Sequence, residues 1–493
     1  MNIPGRALVI GYGLSGRAAA QWLARHGSEV VVLEDDPEVA RGAQASLKIP
    51  GLTVQIGRGP ERAEKLACSA DLVVPSPGVP VSHPALVAAK AFGVEVLSEI
   101  ELAWRVLDAM GGGPGRHPLL VAITGTNGKT TVTKLVVAML AASGKEAVAA
   151  GNVGYPLLEA VSQISPGSEG VLVAEVSSFQ LEYTRKFRPD ISCWLNFAPD
   201  HLDWHPSLDN YARAKAKIWA SQGPGCIAVV NADDSVVRRA AANIPAGVEV
   251  VSFGGAPLAP SAESTSAEST SAESTSAGLP EPVWHVSPEG IAGPGGFFLP
   301  AGHLPRSLPH DLANTAAALA VAMASGASTE GCLLAAASTL PPAHRVQLVG
   351  QSGGVAWYDD SKATTPAAVR AGISGFASVV LIAGGRNKGL DLSELASTVP
   401  PVRGVVAIGE ASNEVTSAFF GRVPVRQAGS MAEAVDAALS MALPGDVVVL
   451  SPGCASFDWY SNYKERGEHF TALVKDKLSS DLTGAQGAEG DAQ

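Results

Sequence analysis

Thr124-Gly125-Thr126-Asn127-Gly128-Lys129-Thr130 decides how this 493-residue chain is read. Before it, residues 119–123 are an apolar run of strand length. After it, residues 132–142 have helical composition, and Gly144 is placed to stop the helix. Strand, glycine-rich turn, Lys-Thr and helix form the layout of a phosphate cradle. The glycines let backbone N–H groups close on an anion, and the helix N-terminus adds partial positive charge. In that layout Lys129 reaches the β- and γ-phosphates, and the Thr130 hydroxyl binds Mg2+. The spacing departs from Gly-x-x-x-x-Gly-Lys-Ser/Thr, because Ile123 occupies the place of the first glycine. The strand–loop–helix context therefore carries as much of the reading as the motif, against the competing reading of an ordinary strand–helix turn.

Upstream, residues 7–10 are a second apolar run, followed by Gly11-Tyr12-Gly13-Leu14-Ser15-Gly16, a helix through Arg25, and a strand 30–33 ending in Glu34-Asp35-Asp36. Strand, Gly-x-Gly-x-x-Gly, helix, strand and acid open a Rossmann-like domain. Its ligand is a dinucleotide with an acid on the ribose, or another diphosphate on the same helix N-terminus. The run 71–75 ends in Ser76-Pro77-Gly78, a turn where such sheets bind ligands. Gly111-Gly112-Gly113-Pro114-Gly115 reads as a linker.

Downstream, the run 171–174 ends in Glu175, where a carboxylate partners a phosphate loop in holding Mg2+. His201 and His205 have the i, i+4 spacing of zinc ligands, but Pro206 and the surrounding turn formers argue against a helix there. A helix starts with Ser207 at its N-cap. Tyr211, Lys215, Ile218 and Trp219 share one of its faces, which puts Lys215 on the apolar stripe. A desolvated lysine is a neutral nucleophile that can add CO2 to become a metal-binding carbamate; a lysine snorkelling past the stripe is the alternative. Residues 261–275 repeat Ser-Ala-Glu-Ser-Thr three times, and 261–276 are expected to form a disordered loop between strands. Thr339-Leu340-Pro341-Pro342 marks a further boundary, after which strands near 357, 379, 405 and 447 end in Gly, Ser, Lys or Asp. The expected organisation is α/β in three domains: a Rossmann-like domain 1–110, a central domain 117–340 of P-loop type with a mostly parallel sheet, and a Rossmann-like domain 343–480 with a flexible tail 481–493.

A 46% hydrophobic, 17% charged chain of this length can bury several cores, and a net charge of -12 leaves no basic surplus for nucleic acid. Five scattered cysteines with no Cys-x-x-Cys pair indicate neither a disulfide framework nor a zinc cage. With no signal-peptide core and no apolar run of membrane-spanning length, the reading is a reduced, cytoplasmic protein.

Taken together these residues resemble the Mur ligase family, the ATP-dependent enzymes that build the peptidoglycan stem peptide, over essentially the whole chain. The family loop Gly-Thr-Asn-Gly-Lys-Ser/Thr stands at 125–130. Within the family, Glu175-Val176-Ser177-Ser178-Phe179-Gln180-Leu181-Glu182, Asp200-His201-Leu202-Asp203, Asp360-Ser361-Lys362-Ala363-Thr364 and Ser451-Pro452-Gly453-Cys454-Ala455-Ser456 match best the branch that joins D-glutamate to UDP-N-acetylmuramoyl-L-alanine. The Asp-Asn-Pro-Arg motif of ligases adding a diamino acid is absent, and folylpolyglutamate synthases share the loop but not such an N-terminal domain.

The resemblance implies an acyl-phosphate route with ATP, two Mg2+ ions and a carbamylated Lys215. It implies a monomer that takes only small-molecule substrates, with no nucleic-acid or membrane partner. Gly125, Thr126, Asn127, Gly128, Lys129 and Thr130 would hold ATP with Asn314, Arg345 and Asp360. Thr130, Glu175, His201 and Lys215 would hold the metals, and Asn152 would contact substrate beside them. Leu14, Ser15 and Ser76 would hold the UDP end; Lys362, Thr364, Lys388, Ser456 and Tyr463 would hold D-glutamate. Two positions depart from the pattern: Asp311 replaces the first Asn of His-Asn-x-x-Asn, and Glu34-Asp35-Asp36 stands where a Thr-Arg pair is expected. The rival readings are another amino-acid ligase of the same family, an NAD-dependent oxidoreductase resting on residues 11–16, and a nucleotide-binding regulator without chemistry.

Overall fold

The computed structural model describes residues 2–46, 49–56, 60–110, 118–164, 169–202, 204–255 and 282–490. The linker at 111–115, Asp203 and the repeat tract 261–276 lie outside the described residues. The described strands form three sheets. The chain divides into two compact units. The first comprises Met1–Phe197, Trp204–Leu304 and Ala313–Thr339; the second comprises Ala198–Asp203, Pro305–Leu312 and Leu340–Gln493.

The first unit contains two sheets. Strands β1 (Arg6–Ile10), β2 (Glu29–Glu34), β3 (Leu52–Ile56), β4 (Leu72–Pro75) and β5 (Glu95–Val96) lie in the order β3-β2-β1-β4-β5. All are parallel. The order reverses between β1 and β4, the crevice where such sheets bind ligands. The central sheet is built from β6 (Leu119–Thr124), β7 (Ala147–Gly151), β8 (Val171–Glu175), β9 (Ile191–Trp194), β10 (Ile227–Asn231), β11 (Glu249–Gly255), β12 (Trp284–Ser287), β13 (Gly290–Ala292) and β14 (Phe298–Pro300). Its order is β14-β13-β12-β11-β10-β9-β6-β8-β7, parallel except at β13 and β14. Strands β6 and β8 are buried along nearly their whole length, as near-continuous apolar runs predict for a sheet covered on both faces. β11 pairs with β12 through Phe253 and Trp284, on either side of the repeat tract.

The second unit carries β15 (Gln347–Ser352), β16 (Val355–Asp359), β17 (Val379–Gly384), β18 (Val402–Ile408), β19 (Val425–Ala428) and β20 (Val447–Leu450), in the order β15-β16-β20-β17-β18-β19. Only β15 runs antiparallel to its neighbour. The central β17 is buried throughout, between the helices Pro366–Ile373 on one side and Met431–Met441 on the other. The last helix spans Tyr463–Gly490 and so continues through the stretch expected as a tail from 481.

Candidate active site

The loop Thr124–Thr130 leaves the carboxyl end of β6, flanked by β8 and β9. The helix that follows begins at Lys129, three residues earlier than the sequence reading, and Gly128 is its N-cap with φ +83°. A Cβ at Gly128 would stand 2.4 Å from the Asn314 Oδ1, so glycine lets Asn314 lie directly against the loop. Asn196 clamps the loop from β9. Its Oδ1 accepts from Asn127 N at 2.8 Å, its Nδ2 donates to Asn127 O at 3.1 Å, and its carbonyl accepts from Thr126 N at 3.1 Å. The sequence reading assigned Asn196 no role; the signal was an Asn two residues past the end of a buried strand beside the loop.

Two lysines converge on one loop carbonyl. Lys129 Nζ donates to Gly125 O at 2.8 Å and to Thr126 O at 3.0 Å. Lys215, only 1% exposed, donates its Nζ to the same Gly125 O at 2.8 Å and lies 4.8 Å from the Tyr211 ring centroid. Its helix spans Leu208–Ala216, with Ser207 Oγ accepting from Asn210 N as the N-cap. Ile218 and Trp219 fall beyond the helix end, yet both are buried with Tyr211 and Lys215, so the apolar face continues into the following turns. The Tyr211 hydroxyl is 3.2 Å from Thr126 Oγ1, which ties this helix to the loop a second time.

At the end of β8, Glu175 is 2% exposed. Its Oε1 accepts from Asn152 Nδ2 at 2.9 Å, while its Oε2 is buried without a hydrogen-bond partner. A buried carboxylate oxygen left open at the end of the strand next to the phosphate loop suits a hard cation such as Mg2+. Among the described residues no group of three or more His, Cys, Asp or Glu side chains could hold a metal by itself, so phosphate oxygens and hydroxyls must complete such a shell. His205 is buried with Nε2 2.9 Å from Ser178 Oγ, packed between Phe179 and Tyr211. It does not pair with His201 as a zinc ligand. His201 is two-fifths exposed, has φ +55° and faces Asp200; its loop belongs to the second compact unit.

At the crevice between β1 and β4, Ser76 Oγ donates to Gly11 O at 3.1 Å, bringing Ser76 to the turn that carries Leu14 and Ser15. Leu14 is largely exposed. Glu34 uses both oxygens locally, accepting from Tyr12 N at 2.6 Å and Asp36 N at 2.9 Å. The departure at this position thus has a structural partner, the glycine-rich turn itself.

In the second unit the substitution at Asp311 is explained by an ion pair. Arg306 Nε and Nη2 meet the Asp311 oxygens at 2.6 and 2.7 Å. Arg306 Nη1 then holds the carbonyls of Arg345 and Val346 at 2.6 and 2.7 Å. An asparagine could not hold a guanidinium as strongly at that point. His344 and Val346, which flank Arg345, have φ +61° and +46°, a conformation β-branched residues resist. Asp360 secures the turn further by accepting from Val346 N at 3.2 Å and from Ser451 Oγ at 2.7 Å. Burial pushes the Asp360 carboxyl up to about 7, against the lowering effect of Ser451 and Arg345.

The remaining candidates share one end of the third sheet. Lys362 Nζ sits 5.3 Å from the Tyr463 ring centroid, and Lys388 Nζ 5.3 Å from that of Phe457. Ser456 is 3% exposed, and its carbonyl caps the turn to Tyr460. Thr364 is part-buried in the turn after Lys362.

Three family models match the chain: a Mur ligase MurD-like N-terminal domain over residues 5–98, a Mur ligase middle domain over 123–322, and a Mur ligase glutamate ligase domain over 344–454. The chain is 40% identical over 474 residues to a UDP-N-acetylmuramoylalanine–D-glutamate ligase of Frankia casuarinae, covering 95% of this chain and 93% of that protein. It is 37% identical over 490 residues to the enzyme of that name from Thermobifida fusca, covering 96% and 99%. Among solved structures it is similar in fold to MurF from Acinetobacter baumannii, with a TM-score of 0.56, 17% identity and coverage of 96% and 90%. It is likewise similar to a pseudomurein peptide ligase type C from Methanothermus fervidus, with a TM-score of 0.55, 17% identity and coverage of 96% and 99%.

Proposed function

The chain belongs to the Mur ligase family, and from that premise we propose how its own residues carry out ATP-dependent ligation of D-glutamate to UDP-N-acetylmuramoyl-L-alanine, a step of peptidoglycan precursor synthesis. The observation that carries the site assignment is the convergence of Lys129 and Lys215 on Gly125 O beside the open oxygen of Glu175.

The loop binds the phosphates of ATP through its backbone N–H groups and Lys129, which must leave Gly125 O to do so. Asn127 stays fixed by Asn196, and Asn314 backs the loop at Gly128. Thr130 and Glu175 would hold one Mg2+ ion, and His201 and Lys215 would serve a second; the ions would supply positive charge for the transferring phosphoryl group. Carbamylation of Lys215 turns one of two neighbouring cations into an anion with two oxygens. Tyr211 and Thr124 line its surroundings.

The terminal alanine carboxylate oxygen attacks the γ-phosphorus, the bond to the β,γ-bridging oxygen breaks, and ADP leaves. The D-glutamate amine then attacks the acyl carbon, the carbon–oxygen bond to phosphate breaks, and the amine loses a proton. Asn152 contacts the acceptor near Glu175. Leu14, Ser15 and Ser76 hold its uridine diphosphate. Arg345 and Asp360 serve the nucleotide, and Lys362, Thr364, Lys388, Ser456 and Tyr463 the amino acid. In this reading the protein works as a monomer in the cytoplasm, as the family resemblance implies. No helix among the described residues is long and apolar enough to cross a membrane.

Phosphate release with ATP and UDP-N-acetylmuramoyl-L-alanine is expected on adding D-Glu, and not L-Glu or a diamino acid. Lys215→Ala should lose at least about 100-fold in kcat and regain part of it with acetate, whereas Lys129→Ala should lose turnover without rescue. Lys215→Ala at wild-type rate would remove the carbamate, and D-Glu-independent release would remove the substrate assignment.

A further inference from the structure

Arg466 is a buried guanidinium whose hydrogen bonds go to neutral acceptors, with the Asp458 and Asp359 carboxylates close enough to favour its charge. It lies in the first turns of the last helix, is 2% exposed, and is among the largest fully buried side chains. Nε donates to Ser361 Oγ at 2.9 Å and Nη2 to Ser361 O at 2.8 Å. Nη1 and Nη2 both donate to Cys454 O at 3.1 Å. The nearby Asp359 is engaged elsewhere, with Oδ2 2.6 Å from His344 Nδ1 and Oδ1 accepting from Ser361 N at 2.9 Å. Burial pulls the guanidinium down to about 10, which leaves it charged at neutral pH. A buried charge hydrogen-bonded only to neutral acceptors is costly, which directs attention to what this one holds together.

The two segments it joins are the turns that carry the amino-acid candidates. Ser361 precedes Lys362 and Thr364, and Cys454 precedes Ser456. Ser361 Oγ donates in turn to Tyr463 O at 2.8 Å, closing a ring through the helix itself. The Cys454 turn is paired with the turn leading to Lys388, through Arg386 N to Ala455 O at 2.9 Å and Ala455 N to Arg386 O at 3.0 Å. The helix can approach this closely because residue 467 is glycine: a Cβ there would lie 2.3 Å from His344 Nδ1.

We propose that Arg466 is a positioning residue for the amino-acid pocket. It locks the Lys362 turn to the Ser456 turn and adds a fixed positive charge behind them that favours a dicarboxylate over a neutral amino acid without touching it. The inference rests on the assignment of Lys362, Thr364, Lys388, Ser456 and Tyr463 to D-glutamate. A fork of donors meeting two turns at once is something lysine cannot reproduce, since its ammonium is a point donor.

The test is steady-state phosphate release by the full chain, with each of the three substrates varied in turn, for wild type, Arg466→Met and Arg466→Lys. Arg466→Met should raise the D-Glu KM about tenfold or more, leaving the KM values for ATP and the nucleotide sugar within about twofold. Arg466→Lys, which keeps the charge, should show a smaller D-Glu-specific rise of about threefold or more. A D-Glu KM within twofold of wild type, or all three KM values rising together, overturns the proposal. If Arg466→Met fails to fold, as a thermal melt would reveal, the same criterion is applied to Arg466→Lys. Wild type that releases no phosphate on D-Glu addition would instead overturn the amino-acid assignment itself.

Discussion

Glu99 is a carboxylic acid whose protonated form the fold favours. It is 2% exposed, its Oε1 accepts from Leu158 N at 2.6 Å, and its Oε2 is buried without a partner. Burial raises its pKa from 4.5 to about 7. The folded state therefore binds this proton more tightly than the unfolded chain does. Between those two values the unfolded state carries fewer protons, so the contribution of Glu99 is fully present below about pH 4.5 and is lost as pH rises through about 7. Glu99→Gln keeps the acceptor for Leu158 and has no charge to bury. It should stabilise the protein by roughly 3 kcal/mol at pH 8 and by nothing at pH 4, measured by urea unfolding at both values. A variant no more stable than wild type at pH 8 would show that Glu99 is ionised at no cost. None of this was visible in the sequence, where an acid in the first turn of a helix reads as a solvated partner of the helix dipole. Lys215 was legible for the opposite reason: its spacing from Tyr211 put a cation on an apolar face, where a charge is conspicuous.

At the scale of elements, what could be read were runs of uniform composition. The strands β6 and β8 of the central sheet, and β17 and β20 of the third, are buried apolar runs ending in chemistry-bearing residues, and within each sheet the shared carboxyl edge follows from the parallel α/β pattern. The strands β13, β14, β15 and β19, at or next to sheet edges, were not anticipated: they are short or polar, and their existence depends on a neighbour to pair with. The clamp on the phosphate loop belongs to this group, because Asn196 meets Asn127 only once β9 lies beside β6. Asn196→Ala removes an acceptor and a donor that hold the same loop residue. It should cost about 2–3 kcal/mol of stability and raise the KM for ATP about tenfold, with the KM for D-Glu nearly unchanged. Unaltered nucleotide affinity in a calorimetric titration would mean that the loop is shaped by Gly128 and Asn314 without the clamp.

On the scale of the whole molecule, three α/β segments were legible from three sets of strand runs, but the joining of the first two sheets in one compact unit was not. That joint depends on residues whose partners are more than 80 positions away. Glu101, fully buried, accepts from the consecutive amides of Arg185, Lys186 and Phe187 at 2.9, 3.0 and 2.8 Å, just after the helix Ser178–Glu182 of the central sheet. Arg105, one turn along the same helix, pairs with Glu101 at 2.9 Å and holds Glu95 of β5 with two hydrogen bonds at 2.9 and 3.2 Å. A carboxylate cradled by three N–H groups and a guanidinium is stable as an anion, but removing it takes the acceptor from three backbone N–H groups and leaves Arg105 only Glu95. Glu101→Ala should therefore destabilise the first unit by about 3–5 kcal/mol. Glu101→Gln, which turns one oxygen into a donor facing N–H groups, should recover less than half of that loss. Differential scanning calorimetry of the full chain tests both. Because the joint links the N-terminal sheet to the segment leading into β9, the loss should appear as a lowered or split first transition. An Ala variant within about 0.5 kcal/mol of wild type would mean that apolar packing alone unites the two sheets, and that the buried carboxylate is incidental to it.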